Sequence, residues 1–226
     1  VRRNVPIVYV IENNGVYGLT KGQFSATADK GSTLKRGWVN EMEPIDCCAL
    51  AIEMGCEYVA RSFSGDIKQL VPLLKGAIAH HGTAVVDVVS PCVTFNNHEG
   101  STKSLKYARD HEEPLHGIDF VPYYEQIKVD YEPGTVQEIE LHDGSRLLLK
   151  KLARDYDPTN KAAALAMLEE ARRNKLFLTG LIYHNPQRSP NLGEQMNLTD
   201  EPLALLPDER LRPPAEAMEK LMAMYR

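Results

Sequence analysis

Apolar positions in residues 1–100 alternate between short continuous runs and helical repeats. Ile7 to Ile11 is an apolar run of the kind that reads as a buried parallel strand. Pro44 to Met54 predicts a helix, with Pro44 in its first turn, Ile45, Cys48, Ala49 and Ile52 on one face, and Gly55 as its stop. Glu57 to Arg61 predicts a short strand. Gly65 to His81 has the clearest helical spacing, carried by Ile67, Leu70, Val71, Leu74, Ala77 and Ile78, and Gly82 ends it. Ala84 to Val89 is a β-branched run interrupted by Asp87 and closed by Ser90-Pro91. Strand, helix, strand, helix, strand predicts an α/β fold whose mostly parallel sheet is covered on both faces.

Periodicity fades over residues 93–135, where Gly100, Pro114, Pro122 and Pro133 punctuate polar sequence. This stretch reads as a connector crossing a partner surface. Ile139 and Leu141, then Leu147 and Leu149, flank Asp143-Gly144, a type I′ hairpin signal. Asp157-Pro158 predicts a cap followed by proline at the first helical position, and the helix runs to about Asn174 with Leu165, Leu168 and Ala171 inward. Leu176 to Tyr183 predicts the last strand. From Asn185 the tail is rich in proline and charge, and ends in a helix near Ala215–Met224 striped by Met218, Leu221 and Met222. The expected organisation is 1–100 as core, 101–184 as connector, hairpin, helix and strand, and 185–226 as a tail in subunit contact.

Composition narrows the function classes. The 226 residues are 43% hydrophobic and 25% charged, which fits an ordinary globular protein with one good core. A formal net charge of -5, with no long Lys/Arg run, argues against nonspecific nucleic-acid binding. No apolar stretch reaches the roughly 18 residues of a membrane span. The cysteines at 47, 48, 56 and 92 suggest no disulfide framework, and a reducing cytoplasm is the simplest compartment.

The densest chemical signal is Glu12-Asn13-Asn14-Gly15-Val16-Tyr17-Gly18-Leu19-Thr20-Lys21-Gly22-Gln23, directly after the first strand. Ligands of open α/β sheets bind at the C-terminal ends of strands. There, an amide oxygen can ligate Mg²⁺ and glycine lets backbone approach a diphosphate. Asn-Asn-Gly is also a common turn, and the residues alone leave both readings open.

The string resembles the second half of the thiamine-diphosphate signature, in which Gly-Asp-Gly is followed farther along by Asn-Asn. Its continuation, Tyr17-Gly18-Leu19-Thr20-x-Gly22-Gln23, is similar to that of the β subunits of 2-oxoacid:ferredoxin oxidoreductases. The likeness continues through Ser90 to Asn97, His142-Asp143-Gly144, Gly180 to Tyr183 and Asp200 to Leu203. Lys21 and the insert Phe24 to Lys30 look most like the 2-oxoglutarate type. Gly-Asp-Gly and the family's upstream cluster cysteines have no counterpart here, so the chain is expected to be incomplete as a catalyst by itself.

The resemblance implies a three-layer thiamine-diphosphate-binding fold. It also implies oxidative decarboxylation of a 2-oxoacid to an acyl-CoA, with electrons passing through a 4Fe-4S cluster to ferredoxin. Asn14 and the carbonyl of Val16 would ligate Mg²⁺, Asn13 would brace the loop with Gly15, and Gly18, Leu19 and Thr20 would lie near diphosphate and thiazolium. Cys92 would be a distal cluster ligand, although the cluster is not expected intact without the other ligands, and Lys21 would meet the substrate. The acid–base carboxylate is expected from the partner α subunit, so no catalytic residue is assigned in this chain. A thiamine enzyme of the non-redox decarboxylase or transketolase kind, and a catalytically silent assembly subunit, are the alternatives. Cys47, Cys48 and Cys56 read as core, Lys35 and Arg36 as a charged loop with Asp29 and Lys30, and His80-His81 as cations favoured by a helix end.

Overall fold

A computed structural model describes residues 1–17, 23–31, 38–90, 127–140 and 146–225. They fall into two compact units, Val1–Asn191 and Leu192–Arg226. The first contains a six-stranded sheet in the order β1-β5-β4-β8-β7-β6. Its strands are β1 (Val8–Asn13), β4 (Tyr58–Phe63), β5 (Ala84–Val89), β6 (Val136–Glu140), β7 (Arg146–Lys151) and β8 (Leu176–His184). A separate antiparallel ribbon pairs β2 (Val16–Tyr17) with β3 (Gln23–Phe24). Pairings β1/β5, β4/β5 and β7/β8 are parallel, and β4/β8 and β6/β7 are antiparallel. The sheet is therefore mixed, with its parallel part built by the alternating elements that the sequence predicts.

Helices cover both faces. On one lie α1 (Cys47–Glu53) and α3 (Lys161–Arg173), packed as Cys48, Ala51, Ile52, Ala164, Leu168 and Ala171 against Val59, Val85, Leu178 and Ile182. On the other lies α2 (Ile67–Ala79), whose Leu73 and Ala77 meet Tyr58, Ala60, Ala84, Val86 and Val88. Burying a side chain such as Ile52 or Ile182 contributes about 1.5–3 kcal/mol. Phe63, Val89, Ile139 and Leu149 form a third cluster.

Several boundaries differ from the sequence expectation. Helix α1 is capped by Asp46, which accepts from the Cys48 and Ala49 amides, so Pro44 lies outside it and Ile45 is exposed. Asn160 caps α3, accepting from Ala163 N, while Asp157 closes a turn onto Thr159. Helix α2 stops at His80. Ile67, Val71 and Ile78 of that helix are exposed, not inward. The opposite flank, at Gln69, reaches Thr179 of β8, so the exposed stripe looks toward the β1 side of the sheet. Strand β1 pairs only with β5 among the described residues, and Ile7, Tyr9 and Val10 are exposed, contrary to a buried strand. Ile127, Val129 and Tyr131, inside the expected connector, pack on the third cluster instead.

The β6/β7 pairing realises the expected hairpin, with Ile139 and Leu149 buried, although Leu141 and Asp143-Gly144 lie outside the described residues. In the second unit, α4 (Leu192–Gln195), α5 (Asp208–Leu211) and α6 (Ala215–Ala223) join by turns. Met218, Leu221 and Met222 of α6 are exposed. No described helix is long and apolar enough to cross a membrane.

Candidate functional site

Strand β1 ends on Asn13, and the chain leaves the sheet through Asn14 and Gly15. The parallel ladder extends one step beyond β5, where Ser90 N donates to Asn13 O at 2.9 Å. Gly15 has φ +68, a left-handed conformation that L side chains seldom adopt. Asn14 is exposed at this turn. Asn13 is half-buried, and its Oδ1 accepts from Thr27 Oγ1 at 2.8 Å. Gly18, Leu19, Thr20 and Lys21, predicted to line the site, lie outside the described residues.

A second loop closes over this turn. Ile45 N donates to Ala26 O at 2.8 Å, tying the loop to the start of α1. Buried Asn40 donates to the carbonyls of Ala28, Asp29 and Met42, and Gly31 N donates back to Asn40 O. Lys30 pairs with Glu43 at 2.8 Å, both exposed, and Lys30 holds the Glu43 carboxyl below its ordinary range. Lys35 and Arg36 lie outside the described residues.

Beneath the loops sits a buried ion cluster. Arg61 Nε donates to Asp87 Oδ2 and Arg61 Nη2 to Asp46 Oδ1, each at 2.8 Å. The register sets Ile11, Asp87 and Arg61 side by side, with Asn13, Val89 and Phe63 two residues farther along the same face. Asp46 also caps α1, so one carboxylate links Arg61 to the helix and, through Ile45, to the loop over Asn13. Breaking such a cluster from one side leaves a buried charge uncompensated. On the other face, Asp66 caps α2 and pairs with Lys151 at 2.8 Å, whose ammonium lies 4.3 Å from the Tyr131 ring centre.

Cys48 and Cys56 are buried in the core, whereas Cys47, read as core from the sequence, is only half-buried and lies outside the core clusters. Burial, reinforced by the nearby Asp87 charge, pushes the Cys47 thiol up to about 11. Burial also raises Cys48 and Cys56. Cys56 Sγ donates to the carbonyls of Tyr58 and Thr83. These three thiols are therefore protonated near neutrality, and for Cys48 and Cys56 this agrees with the core role read for them. Among the described residues no group of three His, Cys, Asp or Glu side chains could hold a metal ion. Cys92 lies outside them.

His80 is a correction. A helix-end cation would need a raised pKa, yet burial lowers it. Its ring packs 5.8 Å from Tyr58 and 6.2 Å from His184. This group lies at the opposite end of the parallel strands from Asn13.

The donor set at the β1 turn suits Mg²⁺ bound to a diphosphate. Asn14 offers an amide oxygen and Val16 a backbone carbonyl, both hard ligands. Gly15 leaves the turn open, since a Cβ built there would meet only Ala28 Cα, at 3.9 Å. Sequence reasoning overlooked Thr27 and the partnership of Arg61 with Asp46 and Asp87. The available signal was two charges, Arg61 and Asp87, set within neighbouring apolar strands.

Residues 1–88 match the thiamine pyrophosphate enzyme family's C-terminal TPP binding domain. A 2-oxoacid:ferredoxin oxidoreductase subunit beta from Sulfolobus sp. is 47% identical over 100 residues, covering 42% of this chain and 32% of that protein. The 2-oxoglutarate oxidoreductase subunit KorB of Mycobacterium tuberculosis is 33% identical over 107 residues, covering 47% of this chain and 28% of that protein. The 2-oxoglutarate synthase subunit KorB of Archaeoglobus fulgidus is 37% identical over 94 residues, 41% of this chain and 35% of that one. The matched region thus spans about a third of these relatives' length. A solved 2-oxoglutarate:ferredoxin oxidoreductase from Magnetococcus marinus shares the fold at a TM-score of 0.59 and 24% identity, covering 100% of this chain and 60% of that one. The resemblance read from the sequence therefore holds: residues 1–88 match the thiamine pyrophosphate enzyme C-terminal TPP binding domain, and the relatives include a 2-oxoacid:ferredoxin oxidoreductase subunit beta and KorB subunits of 2-oxoglutarate oxidoreductase and 2-oxoglutarate synthase.

Proposed function

We propose that this chain is part of the β subunit of a 2-oxoacid:ferredoxin oxidoreductase acting on 2-oxoglutarate, working in the cytoplasm with an α subunit, coenzyme A and ferredoxin. The observation that carries the reading is the Asn13-Asn14-Gly15 turn at the C-terminal end of β1, inside the segment that matches the thiamine domain. Thiamine diphosphate, when bound, supplies the electron sink for decarboxylating a 2-oxoacid. The chain's own residues do the rest of the work assigned here. Asn14 Oδ1 and the Val16 carbonyl hold Mg²⁺, and Gly15 admits the diphosphate to the backbone. Asn13 braces the turn, while Gly18, Leu19 and Thr20 line the diphosphate and thiazolium. Lys21 neutralises the distal carboxylate of 2-oxoglutarate, and Cys92 is the distal ligand of a 4Fe-4S cluster. Tail residues 185–226 contact a neighbouring subunit, with the Met218, Leu221 and Met222 stripe as the apolar contact.

The test is Asn14→Ala in the assembled enzyme, read by calorimetric titration of thiamine diphosphate with Mg²⁺. A sharp loss of affinity with an intact fold is expected, and unchanged affinity overturns the assignment. Cys92→Ser is expected to lower iron content and the absorbance near 400 nm, whereas Cys48→Ser is not. Lys21→Ala is expected to lower kcat/KM for 2-oxoglutarate by roughly ten- to a hundredfold and to affect 2-oxobutyrate much less, as the loss of a charge-assisted bond predicts. Equal losses on both substrates would return Lys21 to the cofactor or the fold.

A further inference from the structure

We propose that the loop Ser25–Asp29 is a clamp on the cofactor turn and that Thr27 is its positioning residue, an inference that rests on Asn14 being the metal's amide ligand. One hydrogen bond joins loop and turn, and Ala28 lies beside the glycine of the turn. Thr27 Oγ1 donates to Asn13 Oδ1 at 2.8 Å, and a Cβ added to Gly15 would come within 3.9 Å of Ala28 Cα. The hydroxyl relay is directional. Thr27 spends its one proton on Asn13, so in the 3.0 Å contact between the two hydroxyls Ser25 Oγ must donate to Thr27 Oγ1. Ser25 Oγ in turn accepts from Thr27 N at 3.2 Å. In this arrangement the Asn13 carbonyl oxygen faces Thr27 and the NH₂ is the other end.

The loop is itself anchored more firmly than a surface turn requires. Asn40, 4% exposed, donates to Ala28 O and Asp29 O, and Ile45 N holds Ala26 O. Ile45 adjoins Asp46, which Arg61 ties to buried Asp87. Asn13 is thus held by a chain of bonds that reaches into the sheet. Because Asn14 follows Asn13 directly, fixing the Asn13 side chain fixes the peptide from which the Asn14 amide projects. Partners bonded directly to metal ligands contribute on the order of 10- to 100-fold in metal affinity, and Thr27 stands one residue farther from the ligand. Thr27 serves the turn by orientation, through its bond to Asn13.

The experiment compares Thr27→Val, Thr27→Ser, Asn14→Ala and Tyr156→Phe in the assembled enzyme. Tyr156 donates to Ile182 O at 2.7 Å, so its variant removes a part-buried hydroxyl bond elsewhere in the fold. The readouts are thiamine-diphosphate affinity by calorimetry, the Mg²⁺ concentration for half-maximal binding, and the melting midpoint without cofactor. Thr27→Val is expected to raise the Mg²⁺ requirement several-fold, up to about 10-fold, the lower end for a ligand's direct partner. Thr27→Ser restores it, and Tyr156→Phe leaves it unchanged whatever its effect on melting. Wild-type binding by Thr27→Val beside a loss in Asn14→Ala overturns the clamp alone. Equal losses in the Val and Ser variants, or in Tyr156→Phe, overturn the role of the hydroxyl. Normal binding by Asn14→Ala overturns the reading of the site, and the clamp with it.

Discussion

The two ends of the parallel strands are both polar, yet they are organised in opposite ways. At the N-terminal end, the Glu57 carboxylate accepts from Ser189 Oγ, Ser189 N and Asn185 Nδ2. Asn4, in the left-handed region at φ 48, accepts from Thr83 N and donates to the carbonyls of Ser189 and Pro190. Both Glu57 oxygens and the Asn4 amide nitrogen are thus engaged by the segment that follows β8, while the Asn4 oxygen is engaged by Thr83 N. At the C-terminal end the strongest bonds lie one layer down, in Arg61, Asp46 and Asp87, while Asn14 above them is exposed. One end spends its polar groups on closing itself, and the other uses buried charge to hold a turn that faces outward. A polar cluster at a strand end suits a site when its bonds hold an exposed group in place.

The largest effect should come from Arg61→Met. Asp87 would be left buried without its cation and Asp46 half so, a loss of about 3–5 kcal/mol in urea unfolding. If that variant costs no more than a change at the other end, the contrast between the ends fails. Next is Glu57→Gln, expected to cost about 1–3 kcal/mol through bonds to the 185–189 segment that the amide cannot keep. Its thiamine-diphosphate affinity in the assembled enzyme should match wild type, and a fall in affinity would join the two ends.

A smaller effect follows from His80. Burial lowers its pKa below 6.5, so as pH falls the unfolded chain takes up the proton first. Stability from keeping this ring neutral is present above pH 6.5 and declines below it, until pH reaches the folded-state pKa. The urea midpoint should fall on acidification in wild type, and His80→Asn should flatten that part of the profile. The smallest is Ile78→Lys, at a side chain 73% exposed, which should shift unfolding of this chain by no more than about 0.5 kcal/mol. A cost of several times that would mean that the flank of α2 is covered after all.

Particular residues show what was legible. The α2 helix was plain from spacing, but its buried side was not. Ile67, Val71 and Ile78 share the periodicity of Leu70, Leu74 and Ala77, and apolarity alone does not say which stripe meets the sheet. Helix starts were misplaced where proline drew attention from the residue behind it. Asp46 and Asn160 cap because their side chains reach the free amides of the first turn, whereas Pro44 and Pro158 only suit the backbone. Asp87 was visible as a break in an apolar run, but Arg61, 26 residues away, became its partner only through strand register.

By itself the sequence determined the alternation of strands and helices, the hairpin, and the Asn13-Asn14-Gly15 string at a strand end. Those features are local: they follow from side-chain periodicity, turn chemistry and a motif contiguous in the chain. Tertiary structure decided the strand order, the antiparallel contact of β8 with β4, the exposed flank of α2 and the neutral His80. It also brought Thr27 to Asn13 across 14 residues, and Arg61 to Asp46 and Asp87 across 15 and 26. Such pairings depend on which strands lie side by side and which loop folds over their ends. That choice is made by burial of the whole sheet, and no local stretch of sequence contains it.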